Sequence, residues 1–115
     1  MRSLPLLALL LAGCTATPVA PVIDSAAVVD GYLTASGHVT GVSESGGTCR
    51  FTFWSMSGGG ASRLTSTATA AGDRTVCGEV SEQATMLLPG GYERELSYES
   101  GGTTVKSARV PVSIP

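Results

Sequence analysis

Cys49-Arg50-Phe51-Thr52-Phe53-Trp54 alternates with a period of two. Cys49, Phe51 and Phe53 point one way, and Arg50, Thr52 and Trp54 point the other. Two aromatic rings and a half-cystine on one face require a core, while an arginine and a threonine opposite them suit water. A strand wet on one side belongs to an antiparallel sheet. No apolar helix pattern elsewhere in the chain is long enough to cover such a sheet. Two sheets must therefore cover each other.

Working outward, turn signals cut the flanking chain into short extended pieces. Upstream, Tyr32 to Val42 places Leu33, Ala35, Gly37 and Val39 on one parity, and Glu44-Ser45-Gly46-Gly47 turns the chain. Downstream, Ser57-Gly58-Gly59-Gly60 is a loop, and Thr-rich Arg63 to Ala70 is a strand. Ala71-Gly72-Asp73 is a turn before a short strand at Thr75-Val76-Cys77, and Glu79 to Gln83 is ambiguous, a helical turn being one reading. Met86 reads as core, ahead of the punctuator Pro89-Gly90-Gly91. Tyr92 to Glu99 has strict alternation: Tyr92, Leu96 and Tyr98 share a face that Arg94 intrudes upon, and Glu93, Glu95 and Glu99 line the wet face. After Ser100-Gly101-Gly102, the last strand runs from Thr104 to Ile114, with Ala108, Val110, Val112 and Ile114 inward and Pro111 at an edge. The expectation is an all-β domain over 32–115, a small antiparallel β-sandwich of about seven strands. A small barrel is the alternative closure.

The N-terminus has another organisation. Met1-Arg2-Ser3 carries one positive charge, Leu4 to Ala12 is apolar, and Gly13-Cys14 is a small-residue exit. This is the layout of an export signal over 1–13. The apolar run is far short of the roughly 20 residues needed to span a bilayer. Leu11-Ala12-Gly13-Cys14 resembles the lipobox of bacterial lipoproteins. That resemblance implies cleavage before Cys14 and diacylglyceryl attachment to its thiol, with acylation of the new amine (palmitate is a typical chain) in many bacteria. Two or three acyl chains anchor a protein stably where one does not. Thr15 is compatible with transfer to an outer membrane if the host has one. Residues 14–31, with Pro18 and Pro21, read as the lipidated end and a tether whose valines offer a first edge strand.

With Cys14 assigned to lipid, Cys49 and Cys77 remain in an oxidising, exported setting. One intramolecular disulfide is expected, worth about 3.6 kcal/mol by loop-closure entropy. No Cys-x-x-Cys spacing favours a redox pair.

From Thr48 to Ile114 the chain resembles immunoglobulin-like or fibronectin type III-like exported domains. The residues that carry this are Cys49-x-Phe51-x-Phe53 and Leu88-Pro89-Gly90-Gly91-Tyr92-x-x-x-Leu96-x-Tyr98. The resemblance implies a core aromatic after the Pro-Gly turn and a late tyrosine that fastens a loop, with Tyr92 and Tyr98 at those positions. Cys77 and Trp54 depart from the usual bridge and core tryptophan of immunoglobulin domains.

A formal net charge of −2 argues against nucleic acid, which requires clustered Lys and Arg. His38 is the single histidine, and no Ser-His-Asp group, metal-ligand spacing or phosphate loop assembles around it. No catalytic residue, metal or cofactor is therefore expected. Trp54, outward at a strand end and leading to Met56 and three glycines, makes Trp54 and Met56 the candidate interface. The leading expectation is a non-enzymatic binding or structural accessory module, held to the membrane by its lipid and facing the extracytoplasmic side. Its partner would be an envelope protein or glycan. The alternative is a carrier of a small ligand or lipid in an internal pocket.

Overall fold

The alternation around Phe51 builds the centre of a sheet. In a computed structural model, residues 18–58, 60–84 and 88–115 are described. The expected export signal, the expected lipid site at Cys14, and Met86 lie outside them. Among the described residues nine strands follow one another: β1 (Ala20–Val29), β2 (Tyr32–Thr40), β3 (Thr48–Ser55), β4 (Ala61–Thr67), β5 (Thr69–Ala71), β6 (Arg74–Gln83), β7 (Gly90–Ser100), β8 (Thr103–Lys106) and β9 (Val110–Ile114). Every pairing is antiparallel. Sheet A has the order β1-β2-β6-β5. Sheet B has the order β4-β3-β7-β8, with β9 also on β7. The two sheets form a sandwich-like all-β domain.

The core lies between them. Sheet A contributes Leu33, Ala35, Val39 and Cys77; sheet B contributes Cys49, Phe51, Phe53 and Leu96, all fully buried. Each set keeps one parity on its strand, so alternation becomes burial directly. The Cys49–Cys77 disulfide joins β3 to β6 and hence one sheet to the other, with the Cα atoms 5.7 Å apart. Ser62 on β4 also donates a hydrogen bond to Glu82 on β6.

Four departures from the sequence reading have physical causes. The chain is ordered as a strand from Ala20, within the segment read as tether. A two-residue Asp30-Gly31 turn, with both φ angles positive, folds β1 onto β2 as a hairpin. Pro21 is tolerated because β1 is an edge strand. The expected Arg63–Ala70 strand is two strands, because the chain changes sheets at Ala68: β4 pairs with β3 and β5 with β6. Ala68 is held there by backbone bonds to Gly46 and Gly47. Glu79 to Gln83 is not a helical turn but continues β6 past a bulge opposite Ala35 and Ser36. The last strand is likewise two pieces on one edge of β7. At the break, the Ser107 hydroxyl accepts the Leu96 N–H at 2.9 Å, in place of a backbone carbonyl. Ala108 and Val110, expected inward, are exposed beside this break, while Ile114 is buried. With β1 added and two expected strands each divided, the described residues hold nine strands.

Candidate functional site

The wet parity of sheet B gathers its functional side chains into rows. Register places Trp54 opposite Glu93, Thr52 between Arg63 and Glu95, and Arg50 between Thr65 and Ser97, with Lys106 beyond Ser97. Adjacent strands stand about 4.8 Å apart, and successive rows on one face about 6.7 Å apart. Arg50, Arg63, Lys106 and Glu95 therefore surround one small area of sheet. Together with Thr52, Trp54, Ser97 and Thr104 they line a groove of about 280 Å³. Thr52 is only 4% exposed although it points outward. The long side chains beside it close over its methyl and hydroxyl, so it forms the floor.

The electrostatics of this face differ from the chain average. Of the seven Lys and Arg residues, Arg50, Arg63, Lys106 and Arg109 stand here, in a chain of net charge −2. Among the described residues, no carboxylate lies within salt-bridge distance of Arg50, Arg63 or Lys106. Arg109 is engaged: its guanidinium lies 3.7 Å over the Trp54 ring, and 3.8 Å from the Glu93 carboxylate. Arg109 does not line the groove, whereas Trp54 does.

The two residues expected as an interface occupy different places. Trp54 is half-buried on the outer face of sheet B. Met56 is 62% exposed in the turn after β3, at the end of the sandwich, and its N–H donates to the Gly91 carbonyl. Met56 does not line the groove. The basic residues around Trp54 are the part that sequence reading missed. The signal was present in the parity of β3, where Arg50 and Trp54 share a face, but Arg63 and Lys106 join them only through strand register.

His38 stands on an inner strand of sheet A. It lies on β2, flanked by Val22 of β1 and Val76 of β6, with its side chain 15% exposed. Asp24, at the irregularity in β1, places its carboxylate 2.9 Å from His38 Nδ1. This pair fastens the edge strand to its neighbour. Among the described residues, no group of three or more His, Cys, Asp or Glu side chains is placed to hold a metal ion.

A second recess, of about 300 Å³, opens between the sheets where β2 hands over to β3. Val19, Val42, Tyr98 and Val105 supply its apolar wall, and Glu44 its acid. The Tyr98 hydroxyl donates to Glu44. That bond, with a second from Ser100, holds the Glu44 carboxyl below its ordinary range. Burial, then the bond to Glu44, pushes the Tyr98 phenol up. Tyr92, the aromatic after the Pro-Gly turn, is buried and donates to the Leu88 carbonyl at 2.7 Å.

Comparison with protein-family models, with curated proteins and with solved structures finds no match to this chain.

Proposed function

We propose that the chain is a membrane-anchored extracytoplasmic lipoprotein whose folded part is a non-enzymatic binding module with an immunoglobulin-like or fibronectin type III-like arrangement. The groove on sheet B carries the binding reading: Arg50, Arg63 and Lys106, without a carboxylate partner among the described residues, are gathered beside a tryptophan. The strand orders β1-β2-β6-β5 and β4-β3-β7-β8 support the topological reading. They correspond to the ABED sheet and a CFG sheet with one added strand. Tyr92, bonded to a carbonyl four residues upstream, is also in keeping with a tyrosine corner.

The anchor reading rests on Leu11-Ala12-Gly13-Cys14. The lipid at Cys14 would then lie within roughly 20 Å of β1 even at full extension of the intervening chain. The start of β1, the 41–47 segment and the Gly101-Gly102 turn would face the membrane. The groove would face sideways, open to polymers lying along the surface.

Mass spectrometry of detergent-extracted protein, with cell fractionation of a Cys14→Ala variant, tests the anchor. The expected result is a mature N-terminus at Cys14 carrying diacylglyceryl, and loss of membrane retention in the variant. An unmodified Cys14 in the membrane-extracted protein overturns it.

A further inference from the structure

We infer that the groove on the outer face of sheet B binds an acidic glycan, a sugar chain bearing carboxylate groups. The inference rests on the binding-module reading and names the ligand class of that same groove.

Three features of the lining select this chemistry. Arg50 and Arg63 present planar guanidinium forks with no carboxylate partner among the described residues. Such forks match a carboxylate in bidentate geometry, and Lys106 adds a mobile positive charge. Glu95, Thr52 and Thr104 supply acceptors and hydroxyls beside them, the partners that sugar hydroxyls require. Trp54 lines the groove wall with the part of its ring that the Arg109 stack leaves free, an apolar surface against which the C–H face of a sugar can pack.

The same lining argues against a protein partner here. It contains no aliphatic side chain. A protein interface of useful affinity has a desolvated apolar or aromatic centre ringed by polar groups. In this groove the centre is polar and charged, and the one aromatic residue stands at its edge. Arg50 and Lys106 are separated by one strand, so their backbones are about 10 Å apart. Successive acidic groups on a sugar chain can reach both.

The test uses the full lipidated chain in a non-ionic detergent, titrated with three probes while Trp54 fluorescence and binding heat are followed. The probes are oligogalacturonate, which is acidic and saccharide; dextran, which is neutral; and polyphosphate, which is anionic without sugar. Oligogalacturonate is expected to bind and to weaken as salt rises. An Arg50→Gln/Arg63→Gln variant, with unchanged melting temperature, is expected to lose about tenfold in affinity. Equal binding of dextran overturns the role of charge, and equal binding of polyphosphate overturns the role of the sugar. Failure of all three overturns the ligand class. A photo-crosslinking residue at Thr104 in intact cells then separates the two levels. Capture of a protein there leaves the binding module standing with a different ligand, whereas no capture of any macromolecule removes both.

Discussion

The Tyr98 hydroxyl donates a 2.5 Å hydrogen bond to the Glu44 carboxylate, fastening the segment between β2 and β3 to the far end of β7. Glu44 is also held through its backbone: its N–H donates to the Thr75 hydroxyl at 3.1 Å, and Thr75 in turn donates to the Val42 carbonyl. The segment that carries the chain from sheet A to sheet B is thus held by both sheets. Gly47 permits the close approach, since a Cβ there would come within 2.8 Å of the Tyr98 ring and its oxygen.

This bond sets a pH dependence. Glu44 is held below its ordinary pKa of 4.5, chiefly by the Tyr98 hydroxyl. The unfolded state therefore binds the proton more readily, and stability falls as pH drops below about 4.5. Tyr98 is raised above 10.0, chiefly by burial. The folded state then holds its proton longer, so stability also falls as pH rises above about 10. Tyr98→Phe is expected to lower the melting temperature at pH 7 and to flatten the acid limb. An acid limb as steep as that of the parent chain in thermal melts from pH 3 to 7 would assign it to other carboxylates.

The inner faces of β2, β3 and β7 were legible because each keeps strict parity through Leu33, Phe51 or Leu96 and meets a complementary face. The disulfide was legible because Cys49 and Cys77 remain once Cys14 is read as a lipid site, and Cys49 shares the buried parity of Phe51. The places where the chain changes partner were not. Ala68 leaves sheet B for sheet A with no glycine or proline to mark it. Ser107 breaks the last strand by side-chain chemistry that looks like any serine in sequence. The β1 hairpin was missed: Pro18 and Pro21 led to the tether reading, although Asp30-Gly31 between Val29 and Tyr32 carries a hairpin signal that outweighs them. In the candidate site, Trp54 and Arg50 were visible as one face, but the convergence of Arg63 and Lys106 depends on register set across the sheet.

Removing the disulfide tests the largest single restraint between the sheets. The bridge spans 28 residues and both sulfurs are fully buried. Cys49→Ala/Cys77→Ala avoids burying a hydroxyl and is expected to cost about 3.6 kcal/mol, the loop-closure entropy lost from the unfolded state. Guanidinium unfolding of the two chains measures it. A loss under about 1 kcal/mol would place the restraint in the core packing of Phe51 and Phe53 instead.

Gly37 sits on the buried parity of β2 where the strand meets sheet B. A Cβ there would lie 2.5 Å from the Val22 carbonyl oxygen and 2.9 Å from Leu96 Cδ2. The first contact is backbone and cannot rotate away. Gly37→Ala is therefore expected to destabilise by about 1–3 kcal/mol through overpacking. Shortening the opposing side chain in Gly37→Ala/Leu96→Val should not restore stability, because the clash with β1 persists. Urea midpoints of the single and double variants decide this, and full rescue would show that β1 yields instead.

Trp54 is the chain's one tryptophan, so its fluorescence reports the Arg109 stack directly. With the guanidinium over the ring, one face of the indole is screened from water. Arg109→Ala is expected to shift the emission to longer wavelength, increase quenching by acrylamide, and cost about 0.5–1 kcal/mol for the cation–π contact. Glu93→Gln is expected to change the emission little, because an exposed ion pair of this kind contributes only about 0–1 kcal/mol and does not hold the stack alone. Comparable red shifts in the two variants would mean that Glu93, rather than the indole, positions the guanidinium. Because Arg109 lies outside the groove, Arg109→Ala should leave the Arg50 and Arg63 side of that face unchanged, which separates the stack from the anion-binding lining.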